Sequence, residues 1–250
     1  MTDVITNINC PHCGAPLEIM PGTVVVICKY CDSTVHISDK PFILSHSILP
    51  CKISEKDTVE HFNSWIKSSD MLSFRMRHGI KLETYKLKLI PFWICKANIK
   101  YSYKGVSLKY GNKIEKEESD SKIYIWKILA HRESFFPARD YDIPMNALAQ
   151  YSISMIPPSA EFFPFEISET DAKEVGKGEV EAYQKELLSN NVDEITSFSS
   201  DITFSDMELV HVPIYFLKYR YREKEYNAYI DGSDGEIIHV ELPSDTTSLL

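Results

Sequence analysis

Two stretches of the chain place apolar residues at every second position. In Ile90-Pro-Phe-Trp-Ile-Cys-Lys-Ala-Asn-Ile-Lys100 the residues Trp93, Cys95, Ala97 and Ile99 share one parity, and in Val212-Pro-Ile-Tyr-Phe-Leu-Lys-Tyr-Arg-Tyr-Arg222 the same places go to Tyr215, Leu217, Tyr219 and Tyr221. A period of two predicts a strand in each case, because successive strand side chains leave opposite faces of a sheet. The first strand is expected to turn at Lys104-Gly105 and return. The second is expected to return through Tyr226 to Ile230 and to turn again at Asp234-Gly235 into Glu236 to Leu242.

A second pair of matching stretches precedes these strands. Leu49-Pro-Cys-Lys-Ile-Ser-Glu-Lys-Asp57 is echoed by Phe163-Pro-Phe-Glu-Ile-Ser-Glu-Thr-Asp171. In each, a serine (Ser54, Ser168) stands three residues before an aspartate (Asp57, Asp171), the pattern that satisfies the free backbone N–H groups of a first helical turn. Helical spacing follows, through Val59, Phe62, Trp65 and Ile66 in the first copy and Ala172, Val175, Tyr183 and Leu187 in the second. The shared order of helix and strand predicts an α+β fold. Two duplicated modules with antiparallel sheets, residues 41–145 and 146–243, are expected between an N-terminal segment, 1–40, and a C-terminal tail, 244–250.

The N-terminal segment carries its own signal. Cys10-Pro-His-Cys13-Gly14 and Cys28-Lys-Tyr-Cys31 are two Cys-x-x-Cys knuckles separated by 14 residues. Between them the pattern reads strand (Leu17 to Met20), turn (Pro21-Gly22) and strand (Thr23 to Ile27), with a third short strand at Thr34 to Ile37. This is the order of a zinc ribbon. Four thiolates complete a tetrahedral shell, so one structural Zn2+ is expected on Cys10, Cys13, Cys28 and Cys31, with no open position for substrate. A redox role for either pair would need a βαβ setting, which the surrounding pattern does not offer. His12 and His36 are expected to serve as surface residues. Cys51 and Cys95 align with Phe165 and Leu217 in the duplication, which makes them core thiols.

Composition sets the broad class. The chain has 250 residues, 44% hydrophobic and 25% charged, as in ordinary globular proteins. No apolar run approaches the roughly 20 residues of a membrane helix, and the start lacks the basic and apolar segments of an export signal, so a cytoplasmic protein without a membrane partner is expected.

The knuckles, the Pro-Cys-Lys-Ile-Ser-Glu-Lys-Asp helix start, Trp65, the Ile90-Pro-Phe-Trp strand and the closing Tyr-Ile-Asp-Gly stretch together resemble the prokaryotic proteins described as transcription-factor-IIB-type zinc ribbon-containing. The resemblance covers most of the chain. It implies a zinc ribbon, and it implies no particular activity.

Charge is distributed unevenly. The net charge is −9, yet residues 71–113 hold ten Lys and Arg against Glu83 alone. Arg75, Arg77, Lys81, Lys86, Lys88, Lys96, Lys100 and Lys104 lead this run, with Phe74, Tyr85, Trp93, Tyr101, Tyr103 and Tyr110 interleaved. Lysines alternating along strands predict a face that meets phosphates, hence nucleic acid or a ribonucleoprotein. Two other readings stand beside it: a solvated face that guards a sheet edge, and a homo-oligomer in which this face meets the acids Glu115, Glu117, Glu118 and Asp120 of a second copy.

Motifs for catalysis are missing. There is no Gly-rich phosphate loop, no Gly-x-Ser-x-Gly elbow and no His-Glu-x-x-His pair, and Asp231-Gly-Ser-Asp234-Gly235-Glu236 reads as a hairpin turn rather than a calcium loop. The sequence therefore predicts a non-catalytic binding protein without a small-molecule substrate. A protein-protein adaptor or self-assembling scaffold is the alternative, and an enzyme with an unrecognised site the third possibility.

Overall fold

The structure, a computed structural model, describes residues 8–19, 25–37, 42–109, 112–132, 136–137, 139 and 141–243. The expected Pro21-Gly22 turn with the flanking Met20, Thr23 and Val24 of the expected strands, Tyr110 and the tail 244–250 lie outside the described residues. The fold is mixed α+β and mostly sheet, with three α-helices among the described residues.

The N-terminal segment forms a small antiparallel sheet of β1 (Val25–Ile27), β2 (Thr34–His36) and β3 (Phe42–Ile43). Its core is Leu17, Ile19 and Val35 packed with the buried Cys10 and Cys28. The strand expected from Leu17 is reduced to isolated bridges, Asn9 with Pro16 among them, because Pro16 has no N–H to extend a ladder.

Beyond it the chain divides into two compact units that interleave along the sequence. Unit 1 comprises residues 1–91, 133–164 and 210–250, and unit 2 comprises 92–132 and 165–209. Each therefore draws on both of the segments read from sequence as consecutive modules.

In order, the remaining elements are β4 (His46–Ile48), α1 (Glu55–Ser68), α2 (Phe74–Gly79), β5 (Ile80–Lys109), β6 (Asn112–Leu129), β7 (Ala149–Gln150), β8 (Glu161–Phe162), α3 (Glu169–Ser189), β9 (Glu194–Tyr221), β10 (Lys224–Asp231) and β11 (Ile237–Val240). In unit 1, α1 lays Phe62 and Ile66 on Tyr215, Leu217, Tyr219 and Tyr221 of β9, which pairs antiparallel with β10. In unit 2, α3 lays Val180 and Leu188 on Ala97, Ile99, Tyr101 and Tyr103 of β5, which pairs antiparallel with β6 from Phe92↔Leu129 to Lys109↔Asn112. Each large apolar side chain buried in this way contributes about 1.5–3 kcal/mol.

Local hydrogen bonds repeat between the units. Ser54 caps α1 by accepting from the Asp57 amide, and Ser168 caps α3 by accepting from the Asp171 amide. Just ahead of the caps, the amides of Lys52 and Ile53 both donate to the Gly232 carbonyl, and those of Glu166 and Ile167 both donate to the Ala130 carbonyl. The hydroxyl of Tyr215 donates to the Ile53 carbonyl at 2.9 Å, and the indole N–H of Trp93 donates to the Ile167 carbonyl at 2.7 Å.

Two local expectations are corrected. The chain does not turn at Lys104-Gly105: β5 runs on to Lys109, with Gly105 paired to Lys116. Gly105 is there for space, since a Cβ at that position would lie 2.8 Å from a methyl of Val192. The buried face of α3 is also rotated from the expected one. It comprises Ala172, Gly176, Val180, Gln184 and Leu188, while Val175 and Leu187 are exposed.

Candidate metal centre and basic face

The sulfur atoms of Cys10, Cys13, Cys28 and Cys31 all lie within 4.8 Å of one another, a cluster among the described residues that could hold a metal ion. Two knuckles of one geometry build it. In the first, the Gly14 amide donates to the Cys10 carbonyl at 2.9 Å and Gly14 adopts φ +75°. In the second, the Asp32 amide donates to the Cys28 carbonyl at 2.9 Å and Asp32 adopts φ +56°. Both turns need the left-handed conformation; glycine meets it without cost, and Asp is among the few other residues that tolerate it.

The sulfur spacing fits a tetrahedral ion. Cys10 Sγ lies 3.7 Å from Cys31 Sγ, and Cys13 Sγ lies 3.7 Å from Cys28 Sγ. A metal–sulfur bond of about 2.3 Å implies a tetrahedron edge of about 3.8 Å. The hydroxyl and amide of Ser33 hold the Cys31 thiol down at about 6, which favours the thiolate form that ligates. Cys13 moves the other way, to about 12: the Ala15 amide draws it down, but burial and the three neighbouring sulfurs outweigh that pull. Four sulfurs this close cannot all be anionic without a cation among them.

The basic residues do not form one surface within a single unit. Arg75, Arg77, Lys81, Lys86 and Lys88 belong to unit 1, and Lys96, Lys100 and Lys104 to unit 2. Arg77 works inside the fold, donating from Nη2 to the Ser69 carbonyl and from Nε to the Leu72 carbonyl behind the end of α1. Lys88 sits over the rings of Phe163 and Phe216, 4.8 and 4.6 Å from their centroids. Lys96, Lys100 and Lys104 are exposed at every fourth position of β5. Lys96 pairs with Asp206 at 2.8 Å and Lys104 with Glu117 at 3.1 Å.

Strand alternation puts the aromatic neighbours elsewhere. Trp93, Tyr101 and Tyr103 are buried, so they leave the strand on the face opposite these lysines. Of the acids expected as a separate patch, Glu117 faces Lys104 across the β5–β6 ladder, whereas Glu118 faces Tyr103, Asp120 faces Tyr101 and Glu115 faces Val106.

Sequence reasoning missed a buried polar chain in unit 1. The Phe163 carbonyl accepts from His211 Nε2 at 2.9 Å, which leaves His211 Nδ1 as an acceptor for His46 Nε2 at 2.7 Å. His46 Nδ1 is then the acceptor for the Thr34 hydroxyl at 2.5 Å. His46 stacks on Tyr151 and His211 on Phe162. Burial, with His211 beside it, pushes His46 down to about 2, and burial pushes His211 down to about 4 against the pull of the Phe163 carbonyl. With the two histidines 165 positions apart, no local pattern announces the pair.

Cys95 is buried and burial pushes its thiol up to about 12, as for a packing residue. Cys51 is half-buried. Among the described residues no helix is long and apolar enough to cross a membrane. No family model, no curated protein and no solved structure matches the chain.

Proposed function

We propose that the four cysteines hold one structural zinc ion and that the chain is a non-catalytic binding protein, assembled from two copies of one helix-on-hairpin element with the helices exchanged. Four sulfur donors in a closed tetrahedral set suit zinc and leave no position for a water or substrate. The paired caps and the Trp93 and Tyr215 hydrogen bonds support the duplication.

The partner in this reading is nucleic acid or a ribonucleoprotein. The observation that carries it is the recurrence of Lys96, Lys100 and Lys104 on one solvent face of β5, about 13 Å apart in a strand that rises about 3.3 Å per residue. The ion pairs of Lys96 and Lys104 are exposed and screened by solvent, so a phosphate backbone can displace them. The triple variant Lys96→Gln, Lys100→Gln, Lys104→Gln tests this in a filter-binding titration against single-stranded RNA and duplex DNA. Weaker binding with a log–log salt slope shallower by about 2–3 is expected; unchanged affinity and slope sink the reading.

A protein-protein adaptor is the second reading, favoured by the charge of unit 2, which carries 12 Lys and Arg against 16 Asp and Glu. Pull-downs from lysate with and without nuclease separate the two, because only an adaptor keeps its partners after the nuclease.

A further inference from the structure

β6 is an edge. Among the described residues it pairs with β5 alone, and at 18 residues it is far longer than the short strands with which proteins usually end a sheet. The amide of Ser121, at the middle of the strand, is taken by the Asp120 carboxylate at 2.7 Å, which points the strand's central N–H to the side away from β5. Ile123 and Ile125 stand 67% and 58% exposed on the same strand, an apolar pair beside the charged run from Lys113 to Lys122.

The charge order along β6 selects an occupant. When the strand is laid antiparallel against its own copy with Ser121 opposite Ser121, Asp120 faces Lys122 and Glu115 faces Lys127, each twice by symmetry, and Ile114 faces Ile128. No like charges meet anywhere along the strand. Sliding the copies by one pairing step to either side breaks this: one slip sets Asp120 against Asp120 and Lys113 against Lys127, and the other sets Lys122 against Lys122. The complementary register makes Ser121 a hydrogen-bonded pair, in keeping with the outward direction of its amide.

We propose that β6 is the interface of a homodimer, an antiparallel strand pair with Ser121 on the two-fold axis that joins the β5–β6 sheet of one copy to that of a second. Asp120 and Lys122, now 2.7 Å apart within one strand, exchange partners across the axis, and the Asp120 carboxylate gives up the Ser121 amide to the facing carbonyl. Such an isologous contact closes on itself and consumes the open edge, so it ends at two copies.

The test is sedimentation velocity of the full chain with its metal, across a concentration series into the tens of micromolar. The wild-type chain is expected at twice 28.7 kDa. Glu115→Lys sets two lysines against each other at both ends of the interface and is expected to raise the dissociation constant at least tenfold. Adding Lys127→Glu is expected to restore the dimer. Within one chain these two positions are about 40 Å apart along the strand, so rescue can arise only between copies. Should Lys127→Glu disturb folding, Ser121→Cys serves instead: a residue on the axis meets itself, and oxidation is expected to give a covalent dimer, whereas Ser119→Cys gives little. A wild-type monomer throughout, a dimer indifferent to Glu115→Lys, a folded double variant no better than the single one, or no preference for the Cys at 121 overturns the proposal. None of these results depends on nucleic acid, so they stand or fall apart from the lysine face.

Discussion

The indole N–H of Trp93 donates to the main-chain carbonyl of Ile167 at 2.7 Å, immediately ahead of the Ser168 cap of α3. Tyr215 holds the Ile53 carbonyl in the same way ahead of the Ser54 cap of α1. In both cases a strand residue under the helix fixes where the helix begins. Tyr215→Phe keeps the ring and leaves the Ile53 carbonyl with the weak Cys51 thiol, at 3.6 Å, as its side-chain donor, which costs about 1–2 kcal/mol. Trp93→Phe loses volume as well and is expected to cost about 2–4 kcal/mol. Urea midpoints at constant m-value measure both; a loss below about 0.5 kcal/mol for either shows that the bond does not hold its helix.

The proposed zinc occupancy of the four-cysteine cluster predicts about one zinc per chain by elemental analysis. Cys28→Ser removes a fully buried ligand and is expected to abolish stoichiometric metal. Chelation of the wild-type protein is expected to unfold the N-terminal sheet, whose core consists largely of the ligands and three aliphatic side chains. Because this sheet and the helices have separate cores, amide exchange after chelation is expected to rise at Val35 while Phe62 and Val180 stay protected. Metal-free protein that keeps Val35 protected contradicts the assignment.

Two glycines in α3 predict opposite signs. A Cβ on Gly178 meets nothing within 4 Å, so Gly178→Ala is expected to gain about 0.5–1 kcal/mol from helix propensity. A Cβ on Gly176 would lie 2.8 Å from Ile128 Cδ1 and 3.0 Å from the Phe204 ring, and Ile128 is 1% exposed with little room to give. Gly176→Ala is therefore expected to cost about 1–2 kcal/mol despite the better helix former. Thermal melts of the two variants decide it, and a gain at both positions refutes the packing argument.

Gly176 also shows where sequence reading stops. The helix start at Ser168 was legible because a cap is a local event among four residues. The buried face was not, because two of its five positions are Gly176 and Gln184, which no apolar pattern selects. Gln184 is buried because its side-chain oxygen accepts from the Tyr124 hydroxyl at 2.6 Å, a partner 60 residues away. The four cysteines were legible for the same reason as the cap, since knuckle spacing is local. The lysines of β5 were legible as a run, but their division between two units and the pairing of Lys96 with Asp206 of β9 and of Lys104 with Glu117 of β6 follow from tertiary contacts that sequence alone did not draw. Gly105 was taken for a turn because glycine answers two needs, a turn or a close approach, and here Val192 makes it the second.

The buried histidines make stability depend on acid. His46 and His211 are both held well below the ordinary value of 6.5, at about 2 and about 4, chiefly by burial. The rings around them, Tyr151 and Phe162, carry no compensating charge, and burial pushes the Tyr151 hydroxyl up to about 12 with Asp32 adding to it. The unfolded chain therefore binds protons below pH 6.5 that the folded chain excludes. Stability is complete above that value and falls as pH drops from 6.5 towards 4, by up to about 1.4 kcal/mol per pH unit for each imidazole. Between pH 6.5 and 4.5 His46 alone accounts for about 2 kcal/mol, or about 4–8 °C in Tm for a chain of this size. His46→Gln cannot titrate, so its melting curve over the same interval is expected to be flatter than that of the wild type by this amount. Protonation of the metal thiolates acts on both proteins alike and cancels in the comparison. Parallel pH profiles would show that the Thr34–His46–His211 chain admits protons without breaking.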